Sequence, residues 1–255
     1  MGQQRIADGD KAKPEPVGGH GPVSSMASRV EGVAPGGDIP WRAEFNEYNH
    51  PLTQAYFWGV PPLYGWQETV IRQLAQPRSR VVLSTCNESG KTSLIVPLFG
   101  LSVMAAFPGA TVFSTAGAEE QIKGQLFRYL HAKVRPYKDS GWLCSLAALE
   151  VRAPEVRGLR SRWIGRVPRQ ALTMEGYHSH LEPDSEGDLV YCPVCVILDE
   201  AKALQQDVLE AAYRINPDWL LVVSTPGMDE GMFYEAMDEL NLDERGVWAK
   251  EELPV

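Results

Sequence analysis

The chain has 255 residues, 44% hydrophobic and 22% charged, enough for one α/β-sized globular domain and cramped for two. Its formal charge of −9 argues against indiscriminate adhesion to nucleic acid, and no apolar run is long enough to span a bilayer. Ile6 stands where a myristoylation signal needs Ser or Thr, and no apolar signal core follows, so the expected location is a cytoplasm.

Residues 1–40 contain eight Gly, five Pro and no aromatic residue. Such a segment buries too little apolar surface to offset its ordering entropy, so a flexible tail is expected there. Aromatic residues become dense from "IPWRAEFNEYNHPLTQAYFWGV" onward, which sets the expected domain at 41–240 and leaves 241–255 as a C-terminal extension or linker. Within the domain, "RVVLS" (80–84), "ATVFST" (110–115), "PVCVILD" (193–199) and "WLLVVST" (219–225) read as strands. Helical patterns at 91–107, 118–134, 207–215 and 231–240 alternate with them, and Pro97 either kinks the first or lies in its early turns. Alternating strands and helices predict a mostly parallel sheet flanked by helices, with ligands at the carboxyl ends of the strands.

The polar motifs fall at those ends. "RVVLS" runs into "TCNESGKTS", a phosphate-loop tail that opens a helix. Backbone N–H groups across Asn87, Glu88, Ser89, Gly90, Lys91 and Thr92 are placed to cradle phosphates, with Ser93 in the first helical turn. Lys91 would reach the outer phosphates of a nucleotide, and the Thr92 hydroxyl would ligate Mg²⁺. Thr85 stands where such a loop usually opens on glycine, which costs backbone freedom but no phosphate ligand. The run "CVILDEA" ends on Asp199 and Glu200, one acid for the metal shell and one to activate water, or else a helix-start acid pair. "VVSTP" puts Ser224 and Thr225 at a third strand end. Trp66 and Gln67 open a helix upstream, and a glutamine amide can pair with an adenine edge or serve an ordinary helix start.

Two further clusters stay open. "RAPEVRGLRSRWIGRVPR" (152–169) has six arginines and one acid, a local +5 that leaves −14 for the rest; it reads as a solvated hairpin face or as a phosphate-meeting surface. His178 and His180 with Cys192 and Cys195 have the makings of a tetrahedral metal site, although Cys195 inside "VCVIL" fits a packed strand.

The order of motifs resembles the ATPase (motor) domain of the large terminase subunit of tailed bacteriophages, a RecA-like P-loop NTPase of the ASCE type. The resemblance covers roughly residues 60–240 and rests on Trp66-Gln67, "SGKTS", "FSTAGAEEQ", "EGYHSH", "VCVILDEAK" and "VVSTPGMDEGMFYEAM". It implies that Gln67 reads adenine, Lys91 and Thr92 bind phosphate and Mg²⁺, Asp199 holds the metal, and Glu200 is the catalytic base. Ser224 and Thr225 would couple ATP hydrolysis to movement. The implied partners are double-stranded DNA, the portal ring of the prohead, a small terminase subunit and copies of the chain in a ring, all in the host cytoplasm.

Three features depart from that family. Asn87 and Glu175 stand where many relatives carry basic residues, and the chain stops about thirty residues after Ser-Thr-Pro, so no nuclease activity is expected of it. A transition-state cation must then come from elsewhere. Arg157, Arg160 and Arg162 are the first candidates, with Arg128 and Arg135 behind them. The competing readings are a nucleotide-binding scaffold without hydrolysis and a helicase-like ATPase.

Overall fold

The computed structural model describes residues 43–166 and 176–226, together with the backbone of 248–250. The expected tail, the expected helix at 231–240, Glu175 and most of the expected extension lie outside the described residues. The first five strands are β1 (Arg80–Ser84), β2 (Thr111–Ala116), β3 (Leu143–Ser145), β4 (Glu150–Arg152) and β5 (Arg162–Gly165). Further along come β6 (His180–Pro183), β7 (Leu189–Cys192), β8 (Val194–Asp199), β9 (Trp219–Ser224) and β10 (Trp248–Lys250). Eight strands make one sheet in the order β10-β1-β9-β8-β2-β5-β4-β3, and β6 with β7 form a separate hairpin. Pairing is parallel from β10 to β5, and only the β4 and β3 edge is antiparallel.

The central strands are apolar on both faces because both are covered. Val81, Leu83, Ile197, Leu221 and Val223 point into a core shared with α2 (Gly65–Leu74) and α3 (Val96–Ala106). The alternate residues Val82, Val196, Leu198, Leu220 and Val222 face α5 (Gln206–Arg214) on the other side. The short α1 (Pro51–Gln54) and α4 (Phe127–Val134) complete the helices that matter here. A period of two in each strand thus serves two cores at once, the pattern expected of buried parallel strands.

Pro97 lies in the first turn of α3, where its missing N–H costs least. The residues before it, Lys91–Ile95, form a wider π-type turn in which the Val96 N–H reaches the Lys91 carbonyl. This widening falls on the phosphate-loop lysine, in keeping with the habit of such turns to occur at functional sites.

α3 approaches β5 closely because Gly100 has no side chain. A Cβ there would come within 2.3 Å of the Trp163 ring, which is fully buried and pinned by its Nε1 donating to Ser114 Oγ at 2.8 Å. Gly100→Ala should therefore destabilise the domain by about 1–3 kcal/mol, read as a lower urea midpoint at unchanged slope. An unaltered midpoint would mean that α3 does not pack on Trp163 as described.

Candidate active site

The sheet order decides which strand tips meet. β9 lies between β1 and β8, with Ser84 in register with Ser224 and Leu198 with Val222. The loop after β1, the acids after β8 and the hydroxyls after β9 therefore share one edge.

The loop is held from three sides. The Thr85 N–H donates to the Ser224 carbonyl at 3.1 Å, and Thr85 Oγ1 lies 2.6 Å from Ser89 Oγ. Thr85 is not among the positive-φ residues, so this loop opens without the freedom a glycine would supply, and the hydroxyl closes it instead. Gly90 does need its freedom: its φ is +89°, and a Cβ would come within 2.9 Å of Gln67 Nε2.

Gln67 accounts for that close approach. Its Nε2 donates to the Ser89 carbonyl at 2.8 Å, its Oε1 accepts the Tyr64 N–H at 3.0 Å, and only 1% of the residue is exposed. The structure thus puts Gln67 against the phosphate loop, where it clamps Ser89 to the start of α2. Trp66 packs on the core beside it. Asn87 and Glu88 are exposed at the loop tip, with Ser89 and Ser93 half-buried.

The buried residues carry the charge. Lys91 Nζ lies 3.8 Å from Glu200 Oε1 and donates to the Cys86 carbonyl at 3.3 Å. Thr92 Oγ1 donates to Asp199 Oδ1 at 3.1 Å, and the Glu200 N–H donates to the same oxygen at 3.0 Å. Glu200 is held at φ 49°, ψ 46°, a left-handed conformation costing a non-glycine residue on the order of 1 kcal/mol. That turn sends the two neighbouring acids in different directions. Glu200 Oε2 lies 3.5 Å from both Ser224 Oγ and Thr225 Oγ1.

Lys202 belongs to the site although the motifs alone gave it no role. Its Nζ donates to Thr225 Oγ1 at 2.6 Å and to the Pro226 carbonyl at 3.4 Å, and its N–H donates to Ser224 Oγ at 3.3 Å. A lysine three residues beyond the β8 acid is the signal that pointed to it. Gln121 was likewise missed; its Oε1 caps the Ala118 N–H at 2.9 Å, ordering the turn after β2.

The arginines fall elsewhere. Arg162 starts β5, in register with Thr111 at the start of β2, so it stands at the end of the sheet opposite the phosphate loop. Arg157 and Arg160 lie in the turn that leads into β5. Arg157 is held by Asp184, Glu186 and Asp188 at 2.7–2.9 Å, and Arg160 lies 3.3 Å from Glu155. Arg162 lies 5.7 Å from the Tyr177 ring centre. The solvated-hairpin reading describes this part of the cluster, with Arg152 and Arg162 facing across β4 and β5. Arg166 differs: its N–H donates to the Ser114 carbonyl, which places it at the carboxyl ends with the site. Arg135 lines a separate cavity of about 460 Å³ with His131, Lys138, Trp142 and Arg152.

A phosphate loop opening a helix, an acid pair two strands away and a hydroxyl-bearing strand between them define the RecA-like P-loop NTPase fold of ASCE type. Among solved structures, the chain is similar to the large terminase ATPase domain of Thermus phage P74-26, at 18% identity and TM-score 0.53 over 72% of each chain. It is also similar to the large terminase of bacteriophage HK97, at 17% identity and TM-score 0.55, covering 76% of this chain and 40% of that one. The large terminase of a thermophilic bacteriophage, solved with ATP-gamma-S, matches at 12% identity and TM-score 0.51 over 74% of this chain and 44% of that one. No protein-family model and no curated protein matches the sequence. At these identities the agreement is one of fold: the described chain has the fold of large terminase ATPase domains and covers less than half of the chain in the last two of these structures.

Burial lifts the Asp199 carboxyl from its ordinary 3.8 to about 6, against the opposing hydrogen bond from Thr92. The folded state therefore holds a proton that the unfolded chain releases, and stability falls as pH rises from about 4 to about 6. Asp199→Asn keeps the acceptor used by Thr92 and Glu200 and removes the charge. In metal-free buffer it should raise stability above about pH 6 by up to roughly 3 kcal/mol, with no gain below about pH 4. Urea unfolding at the two pH values checks this, and an equal effect at both would refute it.

Proposed function

We infer that this chain is the ATP-hydrolysing part of a DNA-packaging motor, moving double-stranded viral DNA into a prohead. The observation that carries the reading is the meeting of Lys91 with Glu200 and of Thr92 with Asp199 at one sheet edge. The fold shared with large terminase ATPase domains supports the motor class, and the solved complex of one of them with ATP-gamma-S supports ATP as the nucleotide.

The residues fit a hard divalent cation. Thr92 and Asp199 offer oxygen donors in contact, and Asp199 is buried in a setting that lifts its carboxyl toward protonation, so a cation relieves it. Thr92 and Asp199 would hold Mg²⁺, which when bound neutralises charge on the phosphates. Lys91 is engaged with Glu200 in the free chain; a triphosphate offers it a denser negative partner, and its transfer frees Glu200. Glu200 then orients a water against the outer phosphate and accepts its proton. Ser224 and Thr225, within reach of Glu200 and gripped by Lys202, link the state of that acid to the tip of β9. Arg166, at the carboxyl edge, is better placed to supply the cation than Arg157, Arg160 or Arg162, whose end of the sheet could reach a triphosphate only in a neighbouring copy. The wider reading includes the portal protein, a small terminase subunit and a homo-oligomeric ring as partners, in the host cytoplasm. Among the described residues no helix is long and apolar enough to cross a membrane.

Steady-state ATP turnover with and without DNA, paired with nucleotide binding, tests this. Glu200→Gln should bind ATP normally and lose at least about a hundredfold in turnover, while Lys91→Ala should weaken binding and turnover together. Normal hydrolysis by Glu200→Gln would remove the base assignment. Zero turnover by the unaltered chain at every protein concentration, with ATP bound, would favour a scaffold. Among the arginines, Arg166→Ala should lower turnover more than Arg157→Ala does; the reverse order would return the search to the β5 turn of a neighbouring copy.

A further inference from the structure

The histidines and cysteines near the β6–β7 hairpin take no part in the chemistry above. Cys195 lies within β8 with its side chain in the core shared with α2 and α3, so it does not join His178, His180 and Cys192. A different trio comes together. His180 and Cys192 are opposite one another in the hairpin register, which puts their side chains on one face. Glu182, two residues along β6, returns to that face.

We propose that His180, Glu182 and Cys192 form a binding site for a borderline-soft transition-metal ion, Zn²⁺ by its ligand chemistry, that clips the hairpin together. The three ligand atoms all lie within 4.8 Å of one another. Nitrogen, oxygen and sulfur ligands around one tetrahedral zinc lie roughly 3.3–3.8 Å apart, so side-chain torsions alone close the set.

The histidine is already oriented for the task. His180 Nδ1 lies 3.1 Å from the His178 carbonyl oxygen, which can only accept, so in the neutral ring Nδ1 carries the proton and Nε2 keeps its lone pair. A ring N–H given to a backbone carbonyl is the usual support of a metal-bound histidine. Nε2 faces Glu182 Oε2 at 3.5 Å, so the ring nitrogen and the carboxylate already stand at the spacing of two ligands of one ion. Cys192 Sγ has only long contacts, 3.8 Å to the Pro108 and Val190 carbonyls. Gly109 leaves room for the sulfur, since a Cβ there would come within 2.4 Å of it.

The site sits at the amino ends of β2 and β8, opposite the phosphate loop, so it is a structural clip and not part of the ATP chemistry. Burial, with Glu182 adding to it, pushes the Cys192 thiol up to about 11. Metal uptake must therefore expel a thiol proton, and affinity should rise with pH.

The test is a Co²⁺ titration of the chelator-treated chain, followed through thiolate-to-cobalt charge-transfer absorption, with Zn²⁺ then displacing the cobalt. One equivalent should generate the band. Cys192→Ser should abolish it, and the surface variants His180→Ala and Glu182→Gln should each weaken binding by more than about tenfold. Cys86→Ser, which removes the exposed loop thiol, should leave it intact. One equivalent of Zn²⁺ should also raise the Tm of the unaltered chain and not of His180→Ala. No band, a band that survives in Cys192→Ser, undiminished affinity in both surface variants, or loss of the band in Cys86→Ser would overturn the proposal. None of these readouts depends on ATP turnover.

Discussion

Thr92 and Asp199 are 107 residues apart in the chain and meet at 3.1 Å. Everything at the carboxyl edge depends on that meeting. It requires β1 and β8 to end at the same level with β9 between them, which the parallel register supplies residue by residue. It also requires the helix after the loop to start with its hydroxyl turned to the acid, which the wide first turn and Pro97 arrange.

The charges there are in unstable balance. Lys91 faces Glu200 while Lys202 is engaged on Thr225, and Asp199 is buried deeply enough to be driven toward protonation. In low dielectric such an arrangement is costly until more positive charge arrives. The strain stored at Glu200 fits the same view, because a relaxed backbone would aim both acids differently.

The other end of the sheet uses charge differently. Arg157 is held among three carboxylates, and Arg80 is spent on backbone carbonyls and Asn216 where β9 begins. Asp218 accepts from Ser179, Tyr191 and the Val194 N–H, tying the hairpin to the sheet. These contacts set the shape of a support, and they give Arg157 and Arg80 structural partners at that end of the sheet.

The four central strands β1, β2, β8 and β9, their order of appearance and three of the motifs were legible in the sequence because they depend on local chemistry, whereas β3, β6, β7 and β10 are too short to show a pattern. A β-branched run between breakers makes a buried strand, Gly-Lys-Thr at a helix start makes an anion cradle, and Asp-Glu after an apolar run marks a strand tip. Three things were settled only by the tertiary structure. Gln67 became a loop clamp because Gly90 lets it approach the Ser89 carbonyl, a contact between residues 22 apart. The arginines divided between the two ends of the sheet because β5 runs parallel to β2, so a few residues along one strand separate Arg162 from Arg166. The proposed metal-ligand set changed from two histidines and two cysteines to one of each with a glutamate, because register decides which side chains share a face. Spacing along a chain states which groups are available, and only pairing and burial decide which of them meet.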